Sequence, residues 1–132
     1  MSAVNHQNQI RVELENHQAR VITQEGGFLV TQTGKSDALA SCPMYLMLGA
    51  LGSCIMLTLD AVARHKQIHM THPVLFLDYD RNQDGDTCFR VDLKLDPDLT
   101  DREQKILYHS ARACEVGKIL KSDVRIKYAL LE

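Results

Sequence analysis

Four cysteines are the residues of this 132-residue chain most able to carry out chemistry, and they stand at positions 42, 54, 88 and 114. No two of them have the C-x-x-C spacing of a zinc knuckle, so a structural zinc site is not predicted. Residues 1–9 are polar and contain no apolar run, so we expect no secretory signal there. The thiols are therefore expected to be free, in a reducing cytoplasm.

Cys54 is the strongest candidate nucleophile because it lies in the most apolar stretch of the chain, residues 43–68. Pro43 suits the first turn of a helix, where its missing N–H would have had no partner. Apolar residues cover every side of this helix, so we expect it to be buried all round. The small residues Gly49, Gly52 and Ser53 precede the thiol and would let another backbone or a ligand come close to it.

Two plainer interpretations of the same stretch remain open. A buried cysteine is most often a small hydrophobic core residue without any chemical role. No charge occurs between Ser41 and Leu59, a length that could cross a membrane. Proline, glycine, serine and threonine dilute the run, however, and the amphipathic remainder of the chain needs a core partner. We therefore favour a core helix and expect no membrane association.

A reactive Cys54 would need a cation from outside its own helix. Only the thiolate is nucleophilic, and burial in an apolar helix raises the pKa of a thiol. The helix dipole acts within the first turn, whereas Cys54 lies about three turns in. The candidates for the cation are Arg11, His17 and Arg20 of the N-terminal segment.

An apolar pocket beside the thiol would suit an alkyl hydroperoxide better than hydrogen peroxide. It would equally suit a fatty ligand that never reacts. The residues expected to line such a pocket are Met44, Met47, Leu51 and Met56.

Strands are predicted on both sides of the central helix. Before it, alternating or β-branched runs at 10–14, 21–23 and 28–31 are separated by turns at 15–18 and 26–27, which indicates a meander. Residues 34–41 form a polar connection into the helix. After it, strands are predicted at 74–79 and 89–96 around a turn at 82–85, with a last strand at 124–130. Cys88 falls on the charged face of its strand, where we expect it to be exposed.

A second helix begins at Thr100, because Thr100 and Glu103 form a capping box. Ile106, Leu107 and Cys114 follow at helical spacing, and this helix is expected to continue through residue 121. The order is therefore β-β-β-α-β-β-α-β, an α+β fold in one domain, 1–132, with residues 1–8 flexible.

Metal and nucleic-acid sites are not predicted. His65 and His69 have the i, i+4 spacing of a metal pair, but no third ligand is evident, and a solvated helix end explains them better. The net charge is −2 and aromatic residues make up 5% of the chain, which argues against a nucleic-acid surface. No cofactor is expected.

The run of mostly small residues at 49–53, between Pro43 and Cys54, is similar to a motif of the OsmC/Ohr family, and so is the segment Ala113-Cys114-Glu115-Val116. The chain resembles that family over about residues 10–130. The resemblance implies an intertwined homodimer that reduces organic hydroperoxides. It implies that Cys54 attacks the peroxide, that Cys114 resolves the sulfenic acid as a disulfide, and that a dithiol reductant, such as a lipoyl group, restores the thiols.

Two positions depart from the peroxidases of that family. They carry a glutamate after the proline, where this chain has Met44, and an arginine in the turn after the first strand, where it has His17. Arg20 is a near neighbour that could replace the arginine. Since methionine cannot accept hydrogen bonds from a guanidinium, these departures predict a slow peroxidase, or alternatively a non-catalytic OsmC-like dimer that binds a small apolar ligand.

Overall fold

The computed structural model describes residues 9–30 and 40–131. The flexible segment predicted at 1–8, Thr31 of the third predicted strand and residues 34–39 of the predicted connection lie outside this range. The chain divides into two compact units, residues 1–47 and 48–132, which are described separately.

The first unit contains the predicted meander. β1 (Arg11–Glu15), β2 (Gln18–Thr23) and β3 (Gly26–Val30) pair antiparallel in sequence order. The β1–β2 turn has two residues, Asn16 and His17, with φ of 52° and 65°. Two consecutive positive φ values match the right-handed twist of the strands and give a tight hairpin. A two-residue strand that was not predicted, β4 (Ala40–Ser41), pairs parallel with β3.

Helix α1 (Pro43–Lys66) begins at the predicted proline. It ends because Gln67 takes a left-handed φ of 57° and the N–H of Ile68 donates to the carbonyl of Ala63 at 2.8 Å. This is the C-terminal motif in which a left-handed residue lets the next N–H satisfy an open carbonyl. His69 therefore lies beyond the helix, so His65 and His69 are not one helical turn apart, and His65 lies in the last turn of α1.

Within the single chain, α1 is buried along one stripe only. The buried positions recur at helical spacing and are Leu48, Leu51, Gly52, Ile55, Leu59 and Ala63. On the remaining surface, Leu57 is 69% exposed. The expectation of burial on all sides is therefore not met by one copy of the chain.

A two-stranded sheet, β5 (Val74–Arg81) and β6 (Thr87–Lys94), covers the buried stripe of α1 in the second unit. The predicted alternation is confirmed: Leu75, Leu77, Phe89, Val91 and Leu93 pack against the core. Gly52 makes close packing possible, because a Cβ there would lie 2.9 Å from Cδ1 of Leu77. On the outer face Arg90 bonds Asp78 and Asp80, and Cys88 is exposed as predicted.

The prediction of one second helix was wrong. The capping box is confirmed and starts α2 (Asp101–Ala111), but the chain then breaks, and α3 (Glu115–Lys121) follows. Cys114 is the N-cap of α3, with an extended ψ of 151°. Apolar spacing continues through the break, so periodicity alone did not reveal it.

The predicted last strand does not form in this chain. Its residues have no regular secondary structure, and their apolar side chains are exposed, from 58% for Val124 to 98% for Leu130. The described residues contain strands followed by helices, which confirms the α+β class.

Candidate functional site

Cys54 lies in the middle of α1, half-buried at the margin of the core. Its Sγ accepts a hydrogen bond from the backbone N–H of Val116, at an N···S distance of 3.5 Å. Val116 belongs to the first turn of α3, where N–H groups have no partner inside the helix. The sulfur of Cys54 therefore occupies a position that favours a hydrogen-bond acceptor.

Cys114 is placed by the break between α2 and α3, and only 2% of its surface is exposed. Its Sγ accepts the N–H of Gly117 at 3.3 Å, so the thiol takes the role that a serine or threonine hydroxyl plays at most N-caps. Gly117 leaves room for this contact, because a Cβ at that position would lie 3.0 Å from the sulfur. This local role of Gly117 was not predicted from the sequence.

The structure thus brings the two predicted site cysteines together. Their sulfurs accept hydrogen bonds from consecutive backbone N–H groups, those of Val116 and Gly117. Burial raises the pKa of the Cys114 thiol, and the neighbouring Cys54 raises it further by charge and hydrogen bonding. The N–H of Gly117 and the ammonium of Lys121 act on this pKa in the opposite direction.

A cavity of about 460 Å³ adjoins this pair in the second unit. Cys114 forms part of its wall, with apolar residues from α1, β6 and α3 around it. Of the four residues expected to line an apolar pocket, Leu51 lines this cavity and Met56 does not. The inward alternation of β6 already indicated Phe89 and Val91, whereas nothing in the sequence marked Arg112 and Lys121, which also line it.

Arg20, the third predicted site residue, lies in β2 of the first unit. Its Nε donates to Oε2 of Glu15 in β1. This hydrogen bond raises the pKa of the Arg20 guanidinium and lowers that of the Glu15 carboxyl. Glu15 thus supplies a carboxylate for Arg20 that Met44 cannot supply, and this pair was not predicted from the sequence. The other candidate cations are Arg11, which pairs with Glu13, and His17, in the β1–β2 turn.

Residues 9–30 and 40–131 contain no group of three or more histidine, cysteine, aspartate or glutamate side chains that could hold a metal ion. His65 instead lines a second cavity of about 610 Å³ at the end of α1, together with Lys66 and Arg102.

Comparison with known proteins identifies the family and the fold. The family of OsmC-like proteins matches residues 34–129. In the comparison with curated protein sequences no significant match was found. An OsmC-like protein from Mycoplasma pneumoniae is similar in structure, with a TM-score of 0.72, 16% identity and 86% of each chain covered.

Two structures of hydroperoxide-resistance proteins are also similar. That of an organic hydroperoxide resistance protein from Elizabethkingia anophelis has a TM-score of 0.61 and 17% identity, with 93% of each chain covered. An organic hydroperoxide resistance protein OsmC from Legionella pneumophila has a TM-score of 0.60 and 14% identity, with 86% of this chain and 89% of that chain covered. The structural similarity shows the fold. Because the family match covers residues 34–129, the chain belongs to the OsmC-like protein family.

Proposed function

We propose that the protein is a thiol-dependent peroxidase that reduces organic hydroperoxides, with Cys54 as the peroxidatic and Cys114 as the resolving cysteine. The observation that supports this most directly is the pairing of their sulfurs with consecutive N–H groups, those of Val116 and Gly117. A peroxidatic and a resolving thiol must meet to form a disulfide, and both sulfurs contact the first turn of α3. Similarity to hydroperoxide-resistance proteins adds support and suggests a role in the response to oxidative stress.

The reaction follows from the position of the two sulfurs. The Cys54 thiolate attacks the distal oxygen of the hydroperoxide, the O–O bond breaks, and Cys54 becomes a sulfenic acid while the alkoxide leaves and takes up a proton to become the alcohol. The Cys114 thiolate then attacks the sulfur of the sulfenic acid, the S–O bond breaks, and the hydroxide leaves and takes up a proton to become water, so that a disulfide forms. The two protons are those that the two thiols release when they ionise. The N–H of Val116 donates to Sγ of Cys54 and holds this sulfur beside the first turn of α3, where Cys114 lies.

Arg20 is the proposed cationic residue of the reaction, and Glu15 orients it. Both side chains are partly exposed, at 40% and 44%, so their pairing is less constrained than that of a buried pair. Weaker positioning of one group that stabilises the transition state costs on the order of 10²–10³ in rate. We therefore expect a slow enzyme, active on bulky organic hydroperoxides and nearly inactive with hydrogen peroxide.

The test is stopped-flow oxidation of the reduced protein by cumene and tert-butyl hydroperoxides. Wild type should consume one equivalent and form a Cys54–Cys114 disulfide, detected by peptide mapping. Cys54→Ser should abolish consumption, while Cys114→Ser should consume one equivalent and stop as a sulfenic acid. Cys88→Ser is the matched control, since Cys88 is exposed and outside the pair. Equal rates for wild type and Cys54→Ser would refute the enzyme hypothesis.

The second candidate is a non-catalytic dimer that binds a small apolar ligand, and the cavity of about 460 Å³ favours it. This volume lies in the range of small-molecule sites. A fatty-acid fluorophore that binds wild type and Cys54→Ser equally, in a protein that does not consume hydroperoxide, would support this candidate over the first.

We expect the protein to be cytoplasmic. α1 has the length and the mean hydropathy, 1.9, of a membrane-spanning helix. Core helices also reach these values, and the leucines on one side of α1 pack in the core of the second unit. Cell fractionation, with the protein recovered in the soluble cytoplasmic fraction, checks this expectation.

A further inference from the structure

Lys121, the last residue of α3, reaches back toward the beginning of its own helix. Its Nζ donates to the backbone carbonyl of Arg112, the C-cap of α2, at 3.3 Å. Side chains of a helix lean toward its N-terminus, and Cys114 precedes Lys121 by seven residues, about two turns. The ammonium of Lys121 is therefore held on the same side of α3 as the Cys114 thiol.

Both side chains line the cavity of about 460 Å³. Gly117 also lines it, lies between them in the sequence, and has no side chain to separate them. Lys118 is nearer to Cys114 in the sequence, but it is exposed and does not line the cavity. The fold therefore brings one of the two lysines of α3 to the resolving thiol and turns the other to solvent.

The positive charge of Lys121 has no carboxylate partner. Across residues 9–30 and 40–131 this side chain forms no ion pair, and its hydrogen bond goes to a carbonyl. The guanidinium of Arg112 is placed differently, over the ring of Tyr108 at 5.8 Å from its centroid. The charge of Lys121 is thus available to an anion that forms in the cavity wall.

Few other groups can compensate the charge of a Cys114 thiolate. Burial raises the pKa of the Cys114 thiol most, and the Gly117 N–H lowers it. Of the charged groups, Cys54 raises this pKa and Lys121 lowers it. The titratable and charged side chains on the elements around Cys114 are Cys54 of α1, Cys88 of β6, Tyr108 and Arg112 at the end of α2, and Glu115, Lys118 and Lys121 of α3.

On the basis of the proposed function, we infer that Lys121 is the cation of the resolving step, and that its ammonium stabilises the Cys114 thiolate that attacks the Cys54 sulfenic acid. Arg20 of the first unit is the cation proposed for attack on the hydroperoxide. The second step therefore has a cation of its own, supplied by the helix that Cys114 caps.

Lys121 stays protonated throughout this step. The Cys114 sulfur bonds to the Cys54 sulfur, the S–O bond of the sulfenic acid breaks, and the proton that Cys114 gave up converts the departing hydroxide to water. Only the thiolate is nucleophilic, so burial of Cys114 slows this attack and a nearby cation speeds it. Because Lys121 is exposed, we expect an effect of up to about fivefold in rate, as for one exposed charge pair.

The first test measures the ionisation of Cys114 without any peroxidase reaction. Reduced protein labelled with carbon-13 at the cysteine Cβ is titrated by NMR, and Cys114→Ser assigns the signal. The pH midpoint of Cys114 should rise in Lys121→Gln, because a favourable charge is lost. It should stay near the wild-type value in Lys121→Arg, which keeps the charge, and in Lys118→Gln, which removes a charge of α3 outside the cavity. An unchanged midpoint in Lys121→Gln, or an equal rise in Lys118→Gln, overturns the proposal.

The second test measures the resolving step itself. One equivalent of cumene hydroperoxide is added, and formation of the Cys54–Cys114 disulfide is followed by quenched-flow alkylation and mass spectrometry. Lys121→Gln should close the disulfide up to about fivefold more slowly at neutral pH, and this difference should vanish at a pH where Cys114 is ionised in both proteins. A loss of the same size at every pH would show a structural effect and would overturn the proposal. If the NMR midpoint shifts as expected but hydroperoxide produces no disulfide in wild type, the proposed function fails, while the effect of Lys121 on Cys114 stands.

Discussion

The backbone N–H of Val116 lies 3.5 Å from Sγ of Cys54, although 62 residues separate the two in the sequence. The next N–H, that of Gly117, bonds the sulfur of Cys114. The first turn of α3 therefore positions both thiols with main-chain groups. Backbone N–H groups are present whatever the side chain, so no single polar side chain holds the two sulfurs. Their positions depend instead on the backbone shape of the first turn of α3.

Gly117→Ala tests that shape. The added Cβ would meet Sγ of Cys114 at 3.0 Å, so the sulfur must shift by a few tenths of an ångström. Since small misplacements of reacting groups are costly, we expect disulfide formation after hydroperoxide addition to slow by about tenfold. The loss of free thiols, followed by colorimetric titration, measures this step.

The matched control is Gly49→Ala in α1, where a Cβ would have no neighbour within 4 Å. Gly49→Ala places a better helix former in a helix interior, worth about 1 kcal/mol, so this variant should not lose stability. Disulfide formation at the wild-type rate in Gly117→Ala would show that the sulfur has room to move.

Arg20→Ala is expected to lower the rate of hydroperoxide consumption by on the order of tenfold to a hundredfold, because the proposed cation is lost. Arg20→Lys should retain part of the rate, since it keeps the charge but not the planar fork. Stopped-flow rates with cumene hydroperoxide measure the effect. Arg11→Ala is the control, because Arg11 forms a comparable exposed pair with Glu13. A similar rate loss in both arginine variants would argue against a specific role for Arg20.

Thr100→Ala is expected to destabilise the protein by about 1 kcal/mol, because Oγ1 of Thr100 accepts the Glu103 N–H at 3.1 Å. Urea unfolding followed by circular dichroism measures the change. Thr100→Ser keeps a hydroxyl acceptor and should stay near wild type. Equal midpoints for the alanine variant and wild type would mean that water replaces the cap at no cost.

The protein is predicted to be a homodimer, with a mass of about twice 14.9 kDa in light scattering. Leu57 is 69% exposed on the central helix, and residues 124–130 carry an exposed apolar alternation that pairs with no strand among residues 9–30 and 40–131. A second copy would bury both, and two-fold pairs are the commonest assembly. Leu57→Glu should weaken the dimer, whereas Lys118→Glu, on α3, should not. A stable wild-type monomer at micromolar concentration would exclude this assembly.

Local patterns predicted most of the elements correctly. The capping box of α2, the turn at Asn16-His17 and the alternation of β6 each depend on a few neighbouring residues, so the sequence contains their whole cause. The break before Cys114 was missed because neither glycine nor proline marks the end of α2. The thiol of Cys114 caps the first turn of α3, and this allows a new helix to begin there. The Glu15–Arg20 pair was missed because strand register, which pairs Glu15 with Gln18, decides it.

The candidate site was predicted only in its cysteines. The residue types and the apolar spacing around them indicated Cys54 and Cys114. The N–H groups of Val116 and Gly117 are main-chain donors, and main-chain donors cannot be predicted from residue type. Arg112 and Lys121 come to the same cavity only through the break between α2 and α3.

Cys54 and Cys114 are far apart in the sequence, so oxidation of the pair to a disulfide would change the unfolding equilibrium of the protein. A Cys54–Cys114 disulfide would close a loop of about 60 residues, nearly half of the chain. A cross-link of that span restricts the unfolded ensemble and raises the free energy of unfolding by about 4 kcal/mol in the chain-entropy treatment. The oxidised protein would then resist proteases better than the reduced one, so the resting thiol form would be the first to be degraded.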